Sequence, residues 1–308
     1  MSIANYPQKN RKGSQNNKMI VILGQTATGK SDLAVQLAQE FNGEIISADS
    51  RQVYRGLNLG TGKITKKEMS DIPHYLLDVA SPSHRFSAAQ YKKLGGLAIK
   101  KIQNKNKLPI ICGGTGFYIR ALVDDLQIPT AKPDLKLRAR LEKETTEELF
   151  KKLQKLDPRR ARNIDRQNPR RLIRALEIIH QTGRPVQKLK LRLQPNVLFL
   201  GLQKPRRELA RRIKIRLERR LKQGMVFEVK KLRAQGLSWK KLEDFGLEYR
   251  WLAKYLQNKI SRPEMIIGLQ KNIEHYAKRQ LTWFGRDKRI IWIKNETQAY
   301  KKIRAFLS

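Results

Sequence analysis

The sequence predicts an α/β fold, a parallel sheet flanked by helices and interrupted by an inserted all-helical domain. Three observations carry this. The apolar run Met19-Ile20-Val21-Ile22-Leu23 leads straight into Gly24-Gln25-Thr26-Ala27-Thr28-Gly29-Lys30-Ser31, the G-x-x-x-x-G-K-[ST] phosphate-binding pattern between a strand and a helix. Up to about Asp125, strand-like runs alternate with helical spans, the rhythm of βαβ units and a parallel sheet. Beyond about Pro129 the texture turns helical and rich in Arg, Lys and Leu. Together they place the chain among P-loop NTPase-like folds.

Residues 1–17 are polar, basic and without periodicity, which predicts a disordered tail. In the loop that follows the first strand, glycines let backbone N–H groups turn inward around a di- or triphosphate. Lys30 adds a point charge, and the Ser31 hydroxyl is suited to ligate Mg²⁺. The next helix carries Leu33, Leu37 and Phe41 at i, i+4, i+8 and stops at Gly43; its N-terminus faces the phosphates. Glu44-Ile45-Ile46-Ser47-Ala48 is a second strand ending at Asp49, and His74-Tyr75-Leu76-Leu77 a third ending at Asp78. Ser87 and Gln90 form a capping box for a helix carrying Tyr91, Leu94, Ala98 and Ile102. Leu108-Pro109-Ile110-Ile111-Cys112 is a fourth strand, broken by Gly113-Gly114.

In the helical region, Asn168 and Pro169 read as N-cap and N1 of a helix burying Leu172, Ile173, Leu176 and Ile179 and closed by Gly183. Leu209, Ile213, Leu217 and Leu221 make an i+4 ridge with Arg211, Arg212, Arg216, Arg219 and Arg220 between them. The strand-like runs 196–200 and 289–293 are expected to return to the sheet. The core domain is therefore expected over 18–128, continued by strands near 196–203 and 287–308, with 129–195 and 204–286 as the mainly helical insertion. No internal repeat is visible.

Of the 308 residues, 66 are Lys or Arg and 27 Asp or Glu, a formal charge of +39 that argues for a polyanionic partner. Apolar stretches are only strand-sized and no signal segment opens the chain, so nucleic acid is favoured over a membrane surface. The single cysteine, Cys112, excludes an internal disulfide framework and a Cys-based zinc site, and a reducing cytoplasm fits. The four histidines show no ligand spacing. Asp49, at a strand's carboxyl end, suits a Mg²⁺ ligand, a general base or a helix N-cap. Asp78 suits a metal ligand or a structural hydrogen-bonder.

The motifs 24–31, Ile46-Ser47-Ala48-Asp49-Ser50-Arg51-Gln52-Val53-Tyr54, Leu59-Gly60-Thr61-Gly62-Lys63 and Pro73-His74-Tyr75-Leu76-Leu77-Asp78 resemble the tRNA dimethylallyltransferase (isopentenyltransferase, IPP transferase) family. So do Gly113-Gly114-Thr115-Gly116-Phe117-Tyr118, Asn168-Pro169-Arg170-Arg171-Leu172-Ile173-Arg174-Ala175-Leu176-Glu177 and Tyr276-Ala277-Lys278-Arg279-Gln280-Leu281-Thr282-Trp283-Phe284. They stand in the family's order and reach from Met19 nearly to Trp292. The form resembled is the compact bacterial one, without the zinc finger of eukaryotic relatives.

The resemblance implies transfer of a dimethylallyl group from dimethylallyl diphosphate to the N6 amine of the adenosine immediately 3′ of a tRNA anticodon. The products are N6-isopentenyladenosine and diphosphate. It implies that residues 24–31 hold the donor diphosphate, with Mg²⁺ as cofactor on Ser31. Asp49 matches the family's base, Thr115 the threonine of the prenyl and adenine site, and Arg216 the arginine that reaches the diphosphate. Ser50, Arg51, Gln52, Gly116, Arg138, Arg171, Leu172, Ile173, Arg174, Ala175, Tyr249 and Arg250 match positions that contact the tRNA anticodon stem-loop. A cytoplasmic monomer is expected. The segment Phe245-Gly246-Leu247-Glu248-Tyr249-Arg250 departs from the family's Gly-Tyr-Lys/Arg. The other readings are an adenine-nucleotide isopentenyltransferase, a P-loop small-molecule kinase and a non-catalytic RNA-binding module. The first would leave the basic helices without a use, the second needs neither Asp49-Ser50-Arg51-Gln52 nor Gly113-Gly114-Thr115-Gly116, and the third leaves the phosphate loop unexplained.

Overall fold

A computed structural model describes residues 17–308 apart from 130, 132, 188 and 190. The tail expected over 1–17 therefore lies, but for its last residue, outside the described residues. The described residues form two compact units, those up to Asp125 with 193–308, and those within 126–192.

The first unit is built on a six-stranded sheet. Its strands are β1 (Met19–Gly24), β2 (Gly43–Ser47), β3 (His74–Tyr75), β4 (Leu108–Gly113), β5 (Val197–Leu202) and β6 (Ile290–Ile293). The order is β3-β2-β4-β1-β5-β6, and every adjacent pair is parallel. Both late strand-like runs thus return to the sheet, β5 beside β1 and β6 beside β5 at the edge. The third strand is shorter than its apolar run, because Leu76 turns left-handed at φ 64° and ends the ladder after Tyr75.

Parallel strands are covered on both faces, which is why β1 reads as an unbroken apolar run. Ile20 and Ile22 pack with Leu33, Ala34 and Leu37 of α1 (Lys30–Glu40). That face also holds Ala299 and Ile303 of the C-terminal helix at 296–307. Val21 and Leu23 point the other way, into a core shared with α2 (Ala88–Asn104) and α3 (Gly116–Val123). The same core takes α4 (Arg206–Lys222), α5 (Met225–Ala234), α6 (Trp239–Phe245), α7 (Leu247–Leu256) and α8 (Arg262–Phe284). The ridge Leu209-Ile213-Leu217 is buried there. The helices of 204–286, grouped by sequence with 129–195, accordingly belong to the unit of the sheet.

The second unit has its own core. Its helices 135–141, 146–156, 158–163 and 169–182 bury Leu141, Leu149, Leu153, Leu172, Ile173 and Leu176. Asn168 caps the last helix through Arg171 N–H and Pro169 opens it, as the sequence suggested. Glu177, wholly buried, ties the unit together. It accepts two bonds at 2.8 Å from Arg138, one from the Asp134 N–H at 2.7 Å and one from Arg174 Nη1 at 2.5 Å. Burial pushes the Glu177 carboxyl up, but these donors outweigh it and hold its pKa below the ordinary value.

A carboxyl with a depressed pKa stabilises the fold above its unfolded pKa and loses that contribution as pH falls through the folded value. Glu177→Ala should cost the 126–192 unit about 3 kcal/mol, because it strands two guanidinium groups. Hydrogen exchange across 135–182 should rise while exchange in the sheet stays unchanged. Below pH 4.5, the ordinary carboxyl value, the wild-type unit should loosen as its carboxylate is titrated. Glu177→Gln should lose that acid dependence, and an acid profile unchanged in Glu177→Gln would remove Glu177 from this role.

Candidate active site

The site lies where the carboxyl ends of β1, β2 and β4 meet, the edge at which ligands gather in such sheets. Its spacing is set by Gly113. A Cβ there would stand 2.3 Å from the Ala48 carbonyl oxygen, so only glycine lets β2 and β4 close. Ala48 N–H donates to the Cys112 carbonyl at 2.8 Å, and Thr115 N–H to the Ala48 carbonyl at 3.0 Å. Asp49 and Thr115 therefore arrive together.

Asp49 Oδ1 accepts from the backbone N–H groups of Arg51 (2.8 Å) and Gln52 (3.3 Å), which pins the 49–52 turn. Thr115 Oγ1 accepts the Ser50 N–H at 3.0 Å, so the threonine orients the same turn from outside. Asp49 Oδ2 takes no hydrogen bond from the described residues. The carboxylate is thus both a turn cap and a group with one oxygen open. Its charge is felt by Lys30, Arg216 and the phenols of Tyr118 and Tyr276. Burial raises both phenols above their ordinary value and keeps them as neutral O–H groups.

On the other side stands the phosphate loop. Thr28 Oγ1 donates to the Gln25 carbonyl at 2.8 Å, and Lys30 Nζ donates to the same oxygen. Burial lowers the Lys30 ammonium to about 8, with Arg216 adding to the effect and Cys112 and Asp49 opposing it. Arg216 of α4 reaches in with Nη1 on Thr26 Oγ1 at 3.4 Å and Nη2 on the Gly62 carbonyl at 3.2 Å. Burial, then the neighbouring Arg220, lowers its guanidinium to about 10, still charged near neutrality. Two crowded cations with little water suit a polyanion.

Ser31 is exposed at the start of α1, and the donor set for a metal is one hydroxyl. Among the described residues no three His, Cys, Asp or Glu converge on a metal position. That fits Mg²⁺, which keeps waters and phosphate oxygens as ligands, and not an all-protein cage. Asp78 is engaged elsewhere, bonded to Lys63 Nζ at 2.6 Å.

Several expected tRNA-contacting residues are found in other places. Tyr249 is 2% exposed and its hydroxyl donates to Glu228 at 2.8 Å, so it anchors a loop instead of presenting a surface. The side chains of Leu172, Ile173 and Ala175 fill the core of the second unit, and Arg138 and Arg174 are held by Glu177. Arg171 and Arg250 are exposed. Arg51 donates through Nε to the Phe245 carbonyl at 2.7 Å, with its guanidinium over the Phe245 ring, so the divergent 245–250 segment positions Arg51. Gln52 spans from Ser47 Oγ (3.3 Å) to the Gly62 carbonyl (3.4 Å), and Gly116 packs against Trp283.

Gln280 is a bridging position that the sequence marks only as part of the 276–284 motif, with no role of its own. Buried in α8, it accepts the Thr26 N–H at 2.8 Å and donates to the Gly114 carbonyl at 3.0 Å, bridging the phosphate loop to the turn after β4 that carries Thr115. The signal was an amide interrupting the apolar stripe Met265, Leu269, Ile273, Ala277 and Phe284.

Fold and site define a phosphate-loop protein of the group-transfer class, with a cationic wall opposite a turn-held carboxylate. The model of the IPP transferase family matches residues 52–287, and the chain belongs to that family. It is 41% identical over 297 residues to the tRNA dimethylallyltransferase of Halothermothrix orenii, covering 94% of this chain and 90% of the relative. With that of Pelotomaculum thermopropionicum it shares 40% over 295 residues, covering 93% and 94% of the two chains. The crystal structure of a tRNA isopentenylpyrophosphate transferase from Bacillus halodurans superposes with a TM-score of 0.71 at 35% identity, covering 94% and 96% of the two chains. A eukaryotic dimethylallyltransferase described as acting on tRNA gives 0.73 at 30% identity, covering 87% of this chain and 69% of that one.

Gln280→Leu should weaken inorganic pyrophosphate binding about 10-fold, the worth of roughly one lost hydrogen bond that fixes the loop. Calorimetric titration reads this directly, and an unchanged affinity would make the bridge a passive packing contact.

Proposed function

We propose that this chain transfers a dimethylallyl group from dimethylallyl diphosphate to the N6 amine of the adenosine immediately 3′ of the anticodon in tRNA. The observation that carries the reading is the placement of two half-sites on one sheet edge. Lys30 and Arg216 flank the phosphate loop, and the Asp49–Thr115 pair stands beside them with a carboxylate oxygen open. An allylic diphosphate supplies an anion for the first half-site, and an aromatic amine a proton for the second.

The allylic C1–O bond breaks as the N6–C1 bond forms. Negative charge develops on the departing diphosphate, and Lys30, Arg216 and the N-terminus of α1 are pre-placed to stabilise it. Ser31, with diphosphate oxygens and water, would hold Mg²⁺, which adds further charge neutralisation when bound. Asp49 receives the proton that the amine loses. Because Oδ1 is fixed by the Arg51 and Gln52 N–H groups, Oδ2 has a set direction for that transfer. Thr115 keeps the turn from swinging by holding the Ser50 N–H. The acceptor base has to leave its stack to reach a recessed site of this kind.

Exposed Arg171 and Arg250 belong to a strongly basic chain and suit phosphate contacts, which position an RNA without reading its sequence. No helix among the described residues is long and apolar enough to cross a membrane. A single copy suffices for the chemistry proposed, since every group named lies in one chain.

Incubation with dimethylallyl diphosphate, Mg²⁺ and tRNA, followed by nucleoside mass spectrometry, should yield N6-isopentenyladenosine without ATP. Product on free AMP but none on tRNA would overturn the reading in favour of a nucleotide prenyltransferase. Asp49→Ala should cut turnover about 10²–10⁴-fold at little cost in tRNA affinity; near-normal turnover would leave Asp49 a turn cap alone. Arg171→Ala and Arg250→Ala should each flatten the slope of log tRNA affinity against log salt by about 0.7–0.9. An unchanged slope would put the RNA path elsewhere.

A further inference from the structure

We propose that Glu228 is a positioning residue for Arg216, acting through the 57–62 loop against which the guanidinium rests. This rests on the reading of Arg216 as a ligand of the donor diphosphate. Three successive N–H groups of the loop turn to one side, a concavity suited to an anion. Glu228 of α5 fills it. Its Oε2 accepts from Asn58 N–H at 3.0 Å and Leu59 N–H at 2.7 Å, and its Oε1 from Gly60 N–H at 3.0 Å and the Tyr249 hydroxyl at 2.8 Å.

From the opposite side the loop carbonyls are held by α4. Arg220 Nη1 donates to Leu59 and Gly60 oxygens at 3.0 and 3.1 Å, while its Nη2 pairs with Glu248 at 3.0 Å. The loop is thus gripped by an anion on its N–H groups and a cation on its carbonyls. What it presents at its end is the Gly62 carbonyl, the acceptor of Arg216 Nη2 at 3.2 Å and of Gln52 Nε2 at 3.4 Å. Gly62 sits at φ 60°, and a Cβ there would stand 1.9 Å from Arg216 Nη2. The fit between this turn and the guanidinium is therefore tight, and a shifted loop shifts the arginine. Among the described residues Glu228 makes no hydrogen bond to Asp49, Thr115 or the phosphate loop, so its influence on the site runs by way of Gly62.

The test is steady-state kinetics of the full chain, with donor varied at saturating tRNA and tRNA varied at saturating donor. The variants are Glu228→Gln, Glu228→Ala, Arg216→Ala and the double Glu228→Ala/Arg216→Ala. Glu228→Ala should raise the donor KM about 10-fold, short of the roughly 100-fold that a 1 Å misplacement can cost, with the tRNA KM within about two-fold of wild type. Glu228→Gln, which keeps one acceptor oxygen but sets an amide NH2 against backbone N–H donors, should raise the donor KM by a smaller factor, about 3-fold, and carries the test if the alanine variant does not fold. In the double variant Glu228→Ala should add nothing to Arg216→Ala, because the second substitution removes what the first one positions. Fully additive losses, or donor and tRNA KM rising together, would overturn the proposal while leaving Arg216 as a diphosphate ligand. A donor KM unchanged in Arg216→Ala would instead overturn the assignment of Arg216, and this inference with it.

Discussion

The close approach of the Ala48 carbonyl to Gly113 sets the geometry on which the rest of the site depends. Parallel strands normally diverge into separate crossovers after their last ladder bond. Here the missing side chain at 113 lets the chain ends continue in register for one more step, through the Ala48 and Thr115 N–H groups. That step carries Asp49 and Thr115 to the same place, and the threonine hydroxyl then fixes the turn that follows Asp49. A methyl group at 113 would have to displace a backbone carbonyl, which no rotamer change can relieve.

The opposite wall shows what a buried cationic group requires. Lys30 and Arg216 each lose water on burial and each has a cation beside it, Arg216 for the lysine and Arg220 for the arginine, so both are held below their ordinary pKa values. Such crowding is a cost in the free protein that a bound polyanion offsets, which is how a preorganised site stores stabilisation for a charge that develops later. The surrounding protein keeps the crowding in place by bonding the guanidinium to neutral oxygens, Thr26 Oγ1 and the Gly62 carbonyl, in place of a carboxylate that would compete with the ligand.

Arginine serves three different ends in this chain. Arg216 faces the phosphate loop, Arg220 clamps loop carbonyls beside Glu248, and Arg138 and Arg174 converge on Glu177 inside the second unit. Only exposed ones such as Arg171 remain as surface. A large positive charge therefore overstates the cationic surface open to RNA, since part of it is absorbed in buried pairs.

Local pattern determined much of this protein. The phosphate loop, the strands of the sheet and the Asn168-Pro169 helix start follow from period, caps and motif spacing, because each is written within a few consecutive residues, whereas the candidate roles of Asp49 and Arg216 rested on the family resemblance. Tertiary structure decided which helices share the sheet's core, since apolar ridges at 209–217 and at 172–179 look alike until packed. It also decided that Tyr249 anchors a loop and Gln280 bridges two motifs, and which arginines meet a carboxylate. Those are contacts between residues far apart in the chain, as from Thr26 to Gln280 or from Asn58 to Glu228. Side-chain type limits what a residue can bond, but only the closed fold brings the partner within reach.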